Sequence, residues 1–292
     1  MLSRFVPTGL DRLIEDDAFL LDAFVLSNVA FLIADIYVAH SLNDFAHWGE
    51  YVPLIYSVAG TIALAVSVWL HVRRAENRPT WIGEAVGWGG VLVGIAGLVW
   101  HLEAWFFTAT TLKSLVYSAP FVAPLAFVGL GMLLLLNRRE QPGSVRWARW
   151  VVFLAWGGWV GNFGLSVIDH AQNGFFYATE WIPVISSALC VGILAALLVV
   201  RPDRQTFRTA YATLLLNAGV GLLGFALHLA PLWTDPGSEP LWDQIVFGPP
   251  IFAPLLLVDL AVLGALGVWK LQAALPEETA LAASSSGPFR DA

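Results

Sequence analysis

Charge is scarce in this chain. Asp, Glu, Lys and Arg make up 13% of its 292 residues, about half the roughly 25% usual in soluble domains. Mean hydropathy is +0.70. That shortage excludes a soluble globular protein, which would have too little charge to cover its surface. Cysteine is almost missing as well. Cys190 stands alone in an apolar run, so neither an intrachain disulfide nor a cysteine-held metal cluster can form. Glycine-rich phosphate loops, a compact H-x3-H metal motif and a nucleophile constellation are all lacking, which leaves no visible site for a soluble nucleotide or a nucleic acid. A cleavable leader is not expected, because Arg4, Asp11, Arg12, Glu15, Asp16 and Asp17 mix both signs of charge ahead of the first apolar run.

The chain does have long apolar runs, at about 18–39, 53–72, 81–100, 119–136, 150–168, 182–200, 207–229 and 250–271. Each comes near the ~20 residues that cross about 30 Å of hydrocarbon at 1.5 Å per residue. In lipid the backbone must satisfy itself, and runs of this length do so as helices. The expected fold is therefore all-α: a polytopic membrane protein of eight transmembrane helices, with the lipid bilayer as its first partner. Of the 15 Lys and Arg residues, only Lys113 falls in the connections 40–52, 101–118, 169–181 and 230–249. The positive-inside rule then places the other connections and both termini in the cytoplasm. The expected location is the cytoplasmic (inner) membrane, with connections 40–52, 101–118, 169–181 and 230–249 outside.

One signature occurs twice. His40, Asn43, Phe45, Glu50 and Pro53 recur 130 residues later as His170, Asn173, Phe175, Glu180 and Pro183. Both copies read H-x2-N-x-F-x4-E-x2-P. Pro120-Phe-Val-Ala-Pro124-Leu125 and Pro250-Ile-Phe-Ala-Pro254-Leu255 repeat at the same interval. This predicts two parallel four-helix repeats, at 18–137 and 150–271, related by a pseudo-two-fold axis along the membrane normal. A cytoplasmic segment (1–17), a linker (138–149) and a disordered cytoplasmic tail (272–292) complete the division. His40, His101, His170 and His228 each close an odd-numbered helix, and an aromatic follows five residues on at Phe45, Phe106, Phe175 and Trp233. Each even helix is expected to begin at or near a proline, which is preorganised for a first turn.

These histidines carry the chemical interest. Neutral imidazole is a common metal ligand, and His with carboxylate suits iron, copper, zinc or manganese. His40, His101, His170 and His228, with Glu50 and Glu180, are the candidate ligands of a transition metal or of haem. The competing reading is structural: a His at a helix C-terminus complements the dipole, a Glu before a helix does the same at the other end, and Asn43 and Asn173 can turn their own backbone. Asp259, Asp35 and Asp169 are candidate intramembrane proton or polar sites, since acids at membrane depth are expensive. At about 100° per residue, Asp35 and His40 point to different faces of their helix. The glycines of the third and seventh helices permit either close helix approach or a slot for a flat cofactor.

Three classes of function fit these residues. One is a metal- or haem-binding oxidoreductase or cofactor-handling protein. The second is a small-molecule or ion permease that uses Asp259. The third is a non-catalytic membrane subunit that binds pigment, quinone or partner chains, with other membrane subunits completing it. In layout the chain resembles the haem A synthase family, with two four-helix halves and histidines repeated on equivalent helices. That family's Glu and His-Arg strings do not occur here, and no catalytic residue is carried over.

Overall fold

Long apolar segments satisfy their backbone as continuous helices, and the described residues form an all-α structure. The structure, a computed structural model, describes residues 13–73, 80–234 and 237–285. The N-terminal Arg4, Asp11 and Arg12, the basic stretch from Arg74 to Arg78, and the tail from 286 with Arg290 lie outside the described residues. Eight long helices follow in order: α1 (Asp17–Ser41), α2 (Tyr51–Arg73), α3 (Thr80–Glu103), α4 (Leu125–Arg139), α5 (Val145–Gln172), α6 (Trp181–Val199), α7 (Arg204–Leu229) and α8 (Leu255–Ser285).

Seven of these, all but α4, are long and apolar enough to cross a membrane. The protein is thus an integral polytopic membrane protein in contact with lipid. α4 has 15 residues, or about 22 Å of helix, short of the full hydrocarbon thickness. The fourth apolar run does not turn helical at its first proline, as the sequence suggests. Residues 121–124 form turns, and the helix begins only after Pro124. Residues 251–254 likewise form turns, and α8 begins after Pro254. A second proline four residues after the first explains the delay, because the residue before a proline is disfavoured in the helical region. α8 also runs on to Ser285, well past residue 271, where the sequence reading places the start of a disordered tail.

Helix neighbours follow a simple order. α1 packs on α2, α2 on α3, α3 on α4, and α4 back on α1; α5, α6, α7 and α8 pack in the same sequence, and α4 meets α5. The tightest seam is α3 on α4. A Cβ at Gly90 would stand 3.0 Å from the Phe127 carbonyl oxygen, and one at Gly94 2.7 Å from that of Pro124. In α7, a Cβ at Gly221 would stand 2.8 Å from the Pro254 carbonyl oxygen. These glycines let backbones touch, as small residues do at membrane helix interfaces. Core side chains such as Leu21, Val25, Trp147, Val151 and Trp159 are fully buried, whereas Ile55, Leu92, Ile185 and Leu215 face outward. Apolar side chains on the outside are the natural arrangement for lipid contact.

Candidate functional site

The two signature loops are built by the same contacts. α1 closes on a left-handed turn: Phe45 N–H donates to His40 O at 3.1 Å and Asp44 N–H to Ser41 O at 3.3 Å, with Asp44 at φ 56°. α5 closes likewise, Phe175 N–H donating to His170 O at 2.9 Å and Gly174 N–H to Ala171 O at 3.1 Å, with Gly174 at φ 72°. This is the paired 6→1 and 5→2 bonding of a Schellman cap, which absorbs free carbonyls at a helix end. The phenylalanines are themselves at positive φ, 52° and 55°. Their rings are held by stacking, Phe45 on Tyr51 at 4.9 Å and Phe175 on Trp181 at 4.1 Å between centroids.

The rest of the signature fixes a carboxylate. Asn43 Nδ2 donates to Glu50 Oε1 at 2.9 Å, and Asn173 Nδ2 to Glu180 Oε1 at 3.1 Å. Each Glu lies at the end of a short 3₁₀ turn, Trp48–Glu50 or Ala178–Glu180, that leads into α2 or α6. The second oxygen faces the histidine: His40 Nδ1 to Glu50 Oε2 and His170 Nδ1 to Glu180 Oε2 are both 3.7 Å. That is too long for a hydrogen bond, and both Oε2 atoms are buried without a hydrogen-bond partner. Buried polar atoms are normally satisfied, so the same open acceptor in both loops requires an explanation. Asn173 also turns its own backbone, its Oδ1 accepting from Phe175 N–H at 3.0 Å.

The second histidine of each pair comes from the next hairpin. His101 Nδ1 lies 3.0 Å from Pro120 O, and His228 Nδ1 2.8 Å from Pro250 O. A carbonyl there requires the proton on Nδ1, which leaves Nε2 as a lone-pair donor. The His40 and His101 rings are 6.3 Å apart, and both interact electrostatically with Glu50. His170 interacts in the same way with Glu180 and His228. The structure thus brings His40, His101, Glu50, Asn43 and Phe45 together, and separately His170, His228, Glu180, Asn173 and Phe175. Among the described residues, no three His, Cys, Asp or Glu side chains already stand at metal-holding distance from one another. His47 takes a local role, its Nδ1 accepting from Gly49 N–H at 3.1 Å.

The intramembrane acids lie apart from these clusters. Asp259 of α8 accepts from Asn28 Nδ2 of α1 at 2.8 Å. Asp35 and Asp169 are half-buried. Sequence reasoning missed a buried polar cluster at the opposite end of the bundle from the histidines. Arg138 Nη1 and Nη2 donate to the two oxygens of Asp22 at 2.5 and 2.9 Å. Asn137 Nδ2 donates to Asp22 Oδ1 and to Ala18 O, both at 2.8 Å, and Trp147 Nε1 to Asn137 Oδ1 at 3.3 Å. Gly83 of α3 leaves room for the guanidinium, which a Cβ there would strike. One signal was available: Asp22 interrupts an apolar run, and the residue 130 positions on is Val152. Comparison with family models, with curated proteins and with solved structures finds no match.

Proposed function

We propose that this is a duplicated metal-binding protein of the cytoplasmic membrane, with eight spans in two parallel halves and one transition-metal site at the outer end of each half. The first site is His40 Nδ1, His101 Nε2 and a Glu50 oxygen; the second is the same set from His170, His228 and Glu180. One observation carries the reading: in both loops a buried glutamate oxygen without a donor faces a histidine nitrogen at 3.7 Å. Ligand atoms bound at about 2.0–2.1 Å to a tetrahedral ion are roughly 3.3 Å apart, so a fraction of an ångström closes the His–Glu gap. The carbonyls of Pro120 and Pro250 supply the outer hydrogen bond that orients a ligating imidazole.

A bare ion fits better than haem. Gly87, Gly90 and Gly94 of α3, which could have left a slot for a flat macrocycle, are used for contact with the α4 backbone. Two histidines and one carboxylate suit iron, zinc, copper or manganese and leave a coordination position open. An ion held so at the outer interface is placed for redox or Lewis-acid chemistry. Orientation rests on the confinement of nearly all cations to one set of connections. The turn residues before Leu125 bring the chain across the remaining thickness that α4 does not span.

The test is elemental analysis of protein purified in mild detergent without a metal-binding tag. Two equivalents of one metal per chain are expected, falling to one in either His101→Ala or His228→Ala. Metal content unchanged in both variants would end the ligand assignment. A Soret absorption lost in the same variants would replace the ion with haem.

A further inference from the structure

The α1/α8 seam holds an acid that the metal reading does not use. Asn28 stands near the middle of α1, with roughly 16–20 Å of helix on either side, and it brings Asp259 to the same depth. Both hydrogens of the Asn28 amide are engaged, one on Phe24 O at 3.0 Å and one on Asp259 Oδ1 at 2.8 Å. The amide is therefore a fixed, neutral donor. Among the described residues Asp259 has no other hydrogen-bond partner and no ion pair. The next cation along α8, Lys270, is about three turns away and pairs with Asp17. Charged side chains of α5 and α7, which pack on α8, all stand within two turns of those helices' ends. The next polar residue on this face of α1 is another acid, Asp35, two turns outward, with the Phe31–Phe252 ring pair between them at 5.2 Å.

A carboxylate at membrane depth without a counter-charge is expensive and marks an ion or proton site by default. A structural need for the pair is argued against by the other seam. The matching residues where α4 meets α5 are Gly129 and Gly158, so the bundle closes there without a polar pair.

We propose that Asp259 is the ligand of an intramembrane cation-exchange site, binding one monovalent cation, a proton or a sodium ion, with Asn28 positioning the carboxyl. The site is independent of the outer metal pair and asymmetric, belonging to the α1/α8 seam alone.

The test uses full-length protein in lipid vesicles and dicyclohexylcarbodiimide, an apolar reagent that reacts with membrane carboxyl groups carrying a proton. Mass spectrometry should find the label on Asp259 and lose it in Asp259→Asn. If the cation is a proton, labelling falls as pH rises and is indifferent to sodium chloride against choline chloride. If it is sodium, sodium chloride protects and choline chloride does not. Asn28→Ala should shift the pH or sodium midpoint of labelling several-fold. No label on Asp259 at any pH, or label that responds to neither pH nor sodium, overturns the proposal. Metal content measured on the same Asp259→Asn sample reports folding and separates this result from the fate of the metal sites.

Discussion

At Phe45 and Phe175 a bulky side chain occupies a backbone region that costs such residues about 1–3 kcal/mol, at φ 52° and 55°. Stacking on Tyr51 and Trp181 holds them there, and the loop bonds from Phe N–H to the His carbonyl and from Asn to Glu keep the His and Glu of each loop facing each other. The residue before each Phe differs: Asp44 in one loop, Gly174 in the other, both at positive φ. Glycine adopts that conformation freely, while other L-residues lose about 1–2 kcal/mol. Asp44→Gly should therefore stabilise the protein by roughly 0.5–1 kcal/mol after the added chain entropy is subtracted, read as a raised unfolding temperature in detergent; Gly174→Ala should lower it. Asp16 gives a pH prediction. Burial alone would raise its pKa, but the Phe19 amide at 2.9 Å and His71 at 2.7 Å outweigh that and hold the carboxyl below the usual carboxylate range. A group depressed in the folded state stabilises above its unfolded pKa of about 3.9 and loses that contribution as pH falls through the folded value. Asp16→Asn should flatten the acid limb of the stability profile between about pH 5 and pH 3 and leave the neutral region nearly parallel to wild type.

Among the helices, α3 and α4 come close enough for backbone contact because glycine faces a carbonyl at each crossing turn. Gly94→Leu must move Pro124 O and Val128, which would lie 2.7 and 2.6 Å from the first added carbon. Overpacking of this kind costs about 1–3 kcal/mol, and because Pro124 lies in the same turn segment as Pro120, whose carbonyl meets His101, metal bound at the proposed first site should fall with stability. Gly129 and Gly219 lie inside helices and have nothing within 4 Å of an added Cβ, so Ala at either should stabilise by about 0.4–1 kcal/mol through the lost chain entropy; thermal unfolding of the three variants side by side checks the contrast. Most of these helices are legible in the sequence, since apolar length alone fixes them. The start of α4 and α8 is not, because either proline of each Pro-x3-Pro pair could begin a helix, and the sequence does not weigh the first proline's preorganised turn against the second's bias on the residue before it. The repeated loop residues are legible as a set through their spacing. The pairing of Asn43 with Glu50 is not, because spacing marks positions and leaves open which side chains meet.

Across the whole molecule, the positions 130 residues on from the buried cluster of Asp22, Asn137 and Arg138 hold Val152, Gly267 and Val268. Sequence reading counts Arg138 only as one more charge marking the cytoplasmic side, because nothing local shows that its guanidinium turns inward to meet Asp22. Yet the proposed duplication offers its own experiment. A buried ion pair seldom outperforms a well-packed apolar one, whereas removing one partner leaves a buried charge uncompensated at a cost of about 3–5 kcal/mol. Arg138→Val alone should therefore strongly destabilise the protein, since Asp22 would lose both of its hydrogen bonds from the guanidinium. Adding Asp22→Val and Asn137→Gly copies the arrangement that the second half already tolerates, and should recover most of the loss. The measurement is unfolding of the single and triple variants in the same detergent. Recovery would mean that the cluster sets which helices meet at the end of the bundle opposite the histidines, at little net gain in stability. A triple variant no better than the single would mean that the two halves pack differently at this end, which would weaken the duplication on which the two-site reading depends.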